Sequence, residues 1–356
     1  MRILLVVWAC MPLGICAQEH TLKRIGAQAH YGFIFAHSDS VENTAGSRPY
    51  GVYLEYSKLK FDSATYNIAR CYPHSGISLS YFNYDNAVLG HSLGVAYFLE
   101  PSFWLAKGVL MAPRASLGLY YLTRPHHPIR NPNNNSYSLP ISAFLQVGMS
   151  AYLCVAQKSY LSTSLNYLHI SNGGIKDPNM GINWPTASLG FYYQLNEAVF
   201  QKQVASASRF FITRNRLDIG GYSSLKAIGK GEKKLYPVPG FFAAYHRRLS
   251  NLHSMGMVAD IHWDYSLAQK QSLDQEPRDI DFTSLAISHE FLMGKFSFGQ
   301  QLGYYVIPPN WRFGRFYHRW GLQYRVAKSI SVGVGLKAHA QVAHFAELRC
   351  AYHLDY

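Results

Sequence analysis

Large apolar residues recur at every second position along most of this chain. In 329–336, Ile330, Val332, Val334 and Leu336 fall on one side of an extended backbone, and Ser329, Ser331, Gly333 and Gly335 on the other. Ile77, Leu79 and Tyr81 oppose Gly76, Ser78 and Ser80 in the same way. Leu93, Val95, Tyr97 and Leu99 oppose Ser92, Gly94 and Ala96, and Ala115, Leu117, Leu119 and Tyr121 oppose Arg114, Ser116 and Gly118. A period of two is that of a β-strand, whose successive side chains leave opposite faces of a sheet. About sixteen strands are predicted on this signal, near 25–36, 48–58, 76–84, 91–99, 108–122, 139–154, 158–170, 184–195, 208–222, 235–248, 252–265, 281–293, 296–307, 314–326, 329–339 and 343–355.

One face of each segment is large and oily, the other small or polar. The oily face meets either a protein core or lipid. No run of about 18 apolar residues follows the N-terminal segment, so the pattern predicts no helical span. A closed β-barrel can still cross a bilayer, because every backbone group is then paired between strands. Short connections, such as 250–251, 294–295 and 327–329, alternate imperfectly with long ones at 124–138, 172–183 and 266–280. Short turns at one end and long loops at the other are the outer-membrane pattern. The segments at 59–75 and 196–207 are too long for the short-turn end. The final strand closes on Tyr356, an aromatic terminus similar to that of bacterial outer-membrane barrels.

Composition sharpens the choice. Only 15% of residues are charged, against roughly 25% in soluble domains, while 48% are hydrophobic and 15% aromatic. Residues 1–17, MRILLVVWACMPLGICA, read as a secretory signal peptide cleaved before Gln18. Cys16 suggests a lipoprotein site, but Ile15 is bulky where a small residue is wanted. Cys71, Cys154 and Cys350 then remain, which permits one disulfide at most and no thiolate metal site. His126 and His127 are adjacent, would point to opposite faces of a strand, and are read as a loop pair; no metal or cofactor is expected. The net charge of +13 is accompanied by no nucleic-acid motif, so no nucleic-acid partner is expected.

One segment differs from the rest: 161–183, LSTSLNYLHISNGGIKDPNMGIN. Leu161, Thr163, Leu165, Tyr167, His169 and Ser171 share one face and Ser162, Ser164 and Asn166 the other, although Leu168 and Ile170 blur the pattern. His169 and Ser171, two residues apart, therefore stand together on the more apolar side. A hydroxyl becomes a nucleophile when a neighbouring base takes its proton, and histidine is the usual base.

This segment resembles the signature of the PagL lipid A deacylases, outer-membrane barrel esterases with an H-x-S-N strand end, a Gly-containing turn and a Pro-Asn-x-Gly segment. The matching residues are His169, Ser171, Asn172, Gly174, Lys176, Pro178, Asn179 and Gly181. Weaker similarity of strand pattern extends over roughly 24–198. The resemblance implies that Ser171 attacks an acyl ester, that His169 accepts and returns the proton, and that Asn172 and the Gly174 N–H face the oxyanion. Such donors are worth about 3–4 kcal/mol each. It also implies lipid A, or lipopolysaccharide, as the substrate partner in outer-membrane lipid. Lys226, Lys230, Lys233 and Lys234, with Arg124 and Arg130, could meet its phosphates, or could be solvated loop residues.

One departure stands out. The family's third catalytic member is a Glu, and the corresponding position here is Asn183. Either Asn183 orients His169 through its carbonyl, or Asp177 from the same loop supplies a carboxylate, or the site is inactive. The expected fold is all-β: an antiparallel transmembrane barrel of the outer-membrane type with about 12–16 strands, in which 18–198 carry the motif and 199–356 complete the same barrel. The alternative is an eight-stranded PagL-like barrel plus a second β unit. The expected activity is hydrolysis of an ester-linked acyl chain of lipid A at the bacterial outer membrane. A non-enzymatic barrel, channel or structural, and an outer-membrane phospholipase are the alternatives.

Overall fold

A computed structural model describes residues 21–60, 65–66, 71–197, 215–229, 234–274, 280–307, 314–340 and 342–356. The expected signal peptide lies outside the described residues, as do Lys230 and Lys233. Sixteen strands form, one at each predicted segment: β1 Thr21–Gly32, β2 Tyr50–Lys60, β3 Tyr72–Asn83, β4 His91–Ala106, β5 Val109–Leu122, β6 Ile141–Ala156, β7 Ser159–Ser171, β8 Ile182–Gln194, β9 Asn215–Lys226, β10 Tyr236–Arg248, β11 His253–Trp263, β12 Asp281–Met293, β13 Phe296–Ile307, β14 Phe316–Ala327, β15 Ile330–His339 and β16 Val342–Asp355. No described helix is long and apolar enough to cross a membrane. Cys71, Cys154 and Cys350 are all free thiols.

The strands close into two barrels of eight, β1–β8 and β9–β16, rather than one larger barrel. β8 returns to β1 in antiparallel register, from Arg24 opposite Gln194 to Gly32 opposite Thr186. β16 returns to β9 from Leu348 opposite Ser223 to Asp355 opposite Arg216. The described residues of 199–356, from 215 on, therefore do not complete the first barrel; they build a second one. Period-two alternation is the same in both arrangements, because it records which way each side chain points and not which strand closes on which. The segment at 196–207, expected to be too long for a short turn, lies mostly outside the described residues, between β8 and β9 in sequence.

Each barrel is oily outside and polar inside. In β2, Val52, Leu54 and Tyr56 are exposed while Tyr53, Glu55 and Ser57 are buried. The outward apolar residues continue around both walls, among them Leu79, Val95, Leu119, Val147, Leu165 and Leu189 in the first and Ile219, Phe241, Met257, Ile287, Leu302 and Leu348 in the second. An apolar belt of this kind is what a lipid-embedded barrel presents.

The lumens hold the charge that the surface lacks. An eight-stranded barrel has an interior just wide enough for side chains to fill. In the first barrel Arg114 lies 2.6 Å from Glu55 and 3.3 Å from Glu100, with Arg24 3.5 Å from Glu100. Tyr192 donates to Glu55 at 2.7 Å and Tyr152 to Glu100 at 2.9 Å. In the second barrel Arg216 bridges Asp218 and Glu290, and Arg319 bridges Asp260 and Glu347. Taking one member from such a set strands its partner in a low-dielectric interior, at a cost of about 3–5 kcal/mol. Arg114→Leu is thus expected to lower stability by about that amount. Urea titration followed by the heat-dependent gel mobility of the barrel measures it, and an unchanged midpoint refutes the role given to the ion network.

Candidate active site

Towards the end of β7 the lumen changes character. Leu168 and Ile170 are fully buried there, in a cluster with Tyr53, Phe82, Tyr84, Phe144, Ile182 and Trp184. Trp184 meets the rings of Phe82 and Tyr84 edge-on at centroid distances of 5.6 and 5.4 Å. The two aliphatic side chains that obscure the sequence pattern are therefore inward-facing. Burying each contributes roughly 1.5–3 kcal/mol and fixes the register, since a slip of one residue would expose both. With Leu168 and Ile170 held inside, His169 and Ser171 must leave the outer face, in line with exposed Leu165 and Tyr167.

Strand pairing supplies the next residue. His169 stands directly opposite Asn183 of β8. His169 Nδ1–H donates to Asn183 Oδ1 at 2.6 Å, which leaves Nε2 with its lone pair outward. Asn183 Nδ2–H in turn donates to Nδ1 of His37, 2.9 Å away. His37 follows β1, and the Phe35 N–H bonds the Asn183 carbonyl at 2.8 Å. An amide with its nitrogen engaged by His37 can only turn its oxygen to His169. The structure thus brings Asn183, and not Asp177, to the imidazole; Asp177 is exposed. His37 carries no motif, and it reaches the site only because β1 pairs with β8.

Ser171 is buried at the strand end, and its Oγ sits among amides. Asn179 Nδ2 donates to it at 2.9 Å and the Gly173 N–H at 3.0 Å, while the hydroxyl is 3.3 Å from Asn179 Oδ1. Among the described residues Ser171 has no hydrogen bond to His169; the two share a face, and the hydroxyl is turned towards the loop.

Asn172 and the Gly174 N–H, expected as oxyanion donors, are engaged within the turn in this structure. Asn172 Nδ2 is spent on Lys176 O at 2.6 Å and Ser138 Oγ at 3.2 Å, and the Gly174 N–H on Asn172 Oδ1 at 3.1 Å. These groups build the turn. The donors that converge on Ser171 Oγ are the Gly173 N–H and Asn179 Nδ2. Asn179 lies within the matching motif, but spacing alone gave no reason to aim it at the serine.

The proposed phosphate contacts fare unevenly. Lys226 is paired with Asp264 at 2.9 Å, and Arg124 Nη1 donates to the Ala87 carbonyl at 2.8 Å.

The architecture defines an outer-membrane-type β-barrel protein with a hydroxyl–imidazole–amide site on its outer wall, beside the long loops. Residues 51–192 match the family described as lipid A 3-O-deacylase (PagL), and residues 215–356 match the acyloxyacyl hydrolase C-terminal domain. The two matches fall one on each barrel and together span most of the chain. The chain belongs to the PagL-like lipid A deacylase family, a family of hydrolases. Among solved structures it is similar to the outer membrane enzyme PagL, at 16% identity over 46% of this chain and 97% of that one, with a TM-score of 0.35. It is also similar to Neisserial surface protein A, at 12% identity over 49% and 97%, with a TM-score of 0.35. No curated protein matches the chain.

Gly181 shows how tightly the histidine is seated. Its φ is +78°, and a Cβ there would lie 2.8 Å from His169 Cε1 and 2.9 Å from the Ile170 carbonyl. Gly181→Ala is expected to push the ring aside. Because a displacement of about 1 Å at a catalytic group can cost roughly 10²-fold, deacylation should fall by that order while the barrel still shows heat-dependent mobility. Wild-type turnover in this variant contradicts a working role for the ring position.

Proposed function

We propose that this protein removes an ester-linked acyl chain from lipid A in the outer leaflet of the bacterial outer membrane, with Ser171 as nucleophile and His169 as base. The observation that carries the reading is the position of the pair: an imidazole oriented by Asn183, half-buried in line with the exposed Leu165 and Tyr167, and a hydroxyl two residues on, buried at the end of the same strand. A fatty ester in the surrounding lipid reaches such a wall without leaving its leaflet. The filled lumens disfavour the channel alternative.

The chemistry follows from the hydrogen bonds. Rotation about χ1 takes the Ser171 hydroxyl from Asn179 to His169 Nε2. As Oγ bonds to the ester carbon, its proton passes to Nε2 and negative charge forms on the carbonyl oxygen. The Gly173 N–H and Asn179 Nδ2, released from Oγ, are placed to receive that charge. His169 then returns the proton to the departing sugar oxygen as the ester C–O bond breaks. Water, deprotonated by the same nitrogen, attacks the acyl-serine, and Nε2 passes that proton to Ser171 Oγ as the C–Oγ bond breaks and the fatty acid leaves. Asn183 holds the tautomer throughout, but as a neutral group it adds no charge to stabilise the imidazolium.

Two measurements test this. Lipid A from cells carrying Ser171→Ala should keep its full acylation by mass spectrometry, whereas the wild type sheds one chain. Equal masses in both strains refute the deacylase reading, and loss of a phospholipid acyl chain instead assigns the activity to phospholipid. Asn183→Glu should raise the rate on the order of tenfold or more, because it restores a charge beside an imidazole already in the productive tautomer. A slower Glu variant means that the Asn–His37 pairing is itself required.

A further inference from the structure

The second barrel touches the first at the catalytic turn. β16 extends past its partner: it begins at Val342, while its pairing with β9 starts only at Leu348 opposite Ser223. The seam between β9 and β16 therefore opens at the loop end. Two backbone donors flank that opening, the Ala346 N–H in β16 and the Ala227 N–H just beyond β9. Unpaired strand donors cannot be left facing lipid.

Both are satisfied from the other barrel. Ala346 N–H donates to the Gly173 carbonyl at 2.7 Å and Ala227 N–H to the Ile175 carbonyl at 2.9 Å. The turn that follows Ser171 is thus laid into the seam, with one flank bonded to each of two carbonyls two residues apart. The fit is close, since a Cβ on Gly173 would stand 2.5 Å from the Ala346 Cβ, at a φ of +69°. The flanks are tied to each other as well: Asp264 lies 2.9 Å from Lys226 Nζ, next to Ala227, and 3.5 Å from His344 Nε2, two residues before Ala346. On the first-barrel side the same segment is held by Ser138 Oγ on Lys176 O at 2.8 Å and by Gly181 N–H on Ser136 O at 2.7 Å.

We propose that the second barrel is a positioning clamp for the catalytic turn: by gripping the carbonyls of Gly173 and Ile175 in its β9–β16 seam, it fixes the direction of the Gly173 N–H that faces Ser171. The inference rests on the Ser171–His169 reading and adds to it a role for residues 215–356. Gly173 couples the two barrels, because its N–H points at the Ser171 oxygen while its carbonyl is the group the second barrel holds. The Ala346 N–H points to Gly173 and away from β15, so its removal leaves the β15–β16 ladder intact.

The test uses the full chain in outer-membrane preparations, with purified lipid A as substrate and heat-dependent gel mobility as the check on folding. Ala346→Pro, which deletes the clamping donor, should lower kcat about tenfold or more with little change in KM, since the substrate-binding wall is untouched. Gly173→Ala should lose activity through both the strain of a Cβ at φ +69° and collision with Ala346, and Gly173→Ala/Ala346→Gly should recover the part due to the collision, a coupling between barrels that a general loss of stability would not produce. Wild-type kcat in Ala346→Pro, or no recovery in the double variant, overturns the clamp. If Ala346→Pro fails to fold, the Gly173/Ala346 pair decides the matter alone. Ser171→Ala, run alongside, separates the two readings: activity surviving in it refutes the nucleophile assignment, whereas activity lost there but unaffected in the clamp variants refutes only the clamp.

Discussion

Strict alternation along a closed strand governs everything at the site. A barrel wall gives each residue two choices, lumen or lipid, and a strand bonded on both sides cannot rotate one residue independently of the next. In β7 the choice is made by Leu168 and Ile170, which fill an aromatic ceiling around Trp184. Once they are inside, His169 has nowhere to go but outward, and Ser171, where the pairing with β8 ends, closes against the loop. The same rule puts Asn183 opposite His169, since antiparallel neighbours share a face. Reactive geometry here is a consequence of packing on the other side of the wall.

The polar side of the same constraint explains the charge economy. A protein whose outer faces meet lipid must place its ionic groups at the rims or in the lumen, and this chain places them in the lumen in opposed sets. Glu55 and Glu100 face Arg24 and Arg114 in one barrel, while Asp260 and Glu347 face Arg319 in the other. These networks brace the wall from within, so the strand end carrying His169 projects from a stiff support. The proposed Ser171–His169 pair would need that stiffness, because the gain from orientation vanishes with small displacements.

Joining two small barrels, rather than widening one, has a chemical consequence. A sixteen-stranded barrel would have opened a lumen too wide for its own side chains to fill. Two eight-stranded barrels keep both interiors filled and leave two outer walls, and the seam of one lies against the turn that follows Ser171 in the other. Gly173 and Ala346, far apart in sequence, become backbone neighbours across that junction.

Strand positions, the oily and polar faces, and the alignment of His169 with Leu165 and Tyr167 were legible in the sequence, because each depends on spacing within one strand. Asn183 was legible as a position but not as a partner in preference to Asp177, since that depends on the register between β7 and β8. His37, the aim of Asn179 and the use of Asn172 and Gly174 to build the turn were not legible at all, and closure at strand eight came only as the alternative that the family resemblance implied. Each is a contact between segments that local periodicity does not relate: β1 meeting β8, a loop folding back on its own strand end, one barrel meeting another. The order of residues determined which way side chains face; only the closed sheets decided which of them meet.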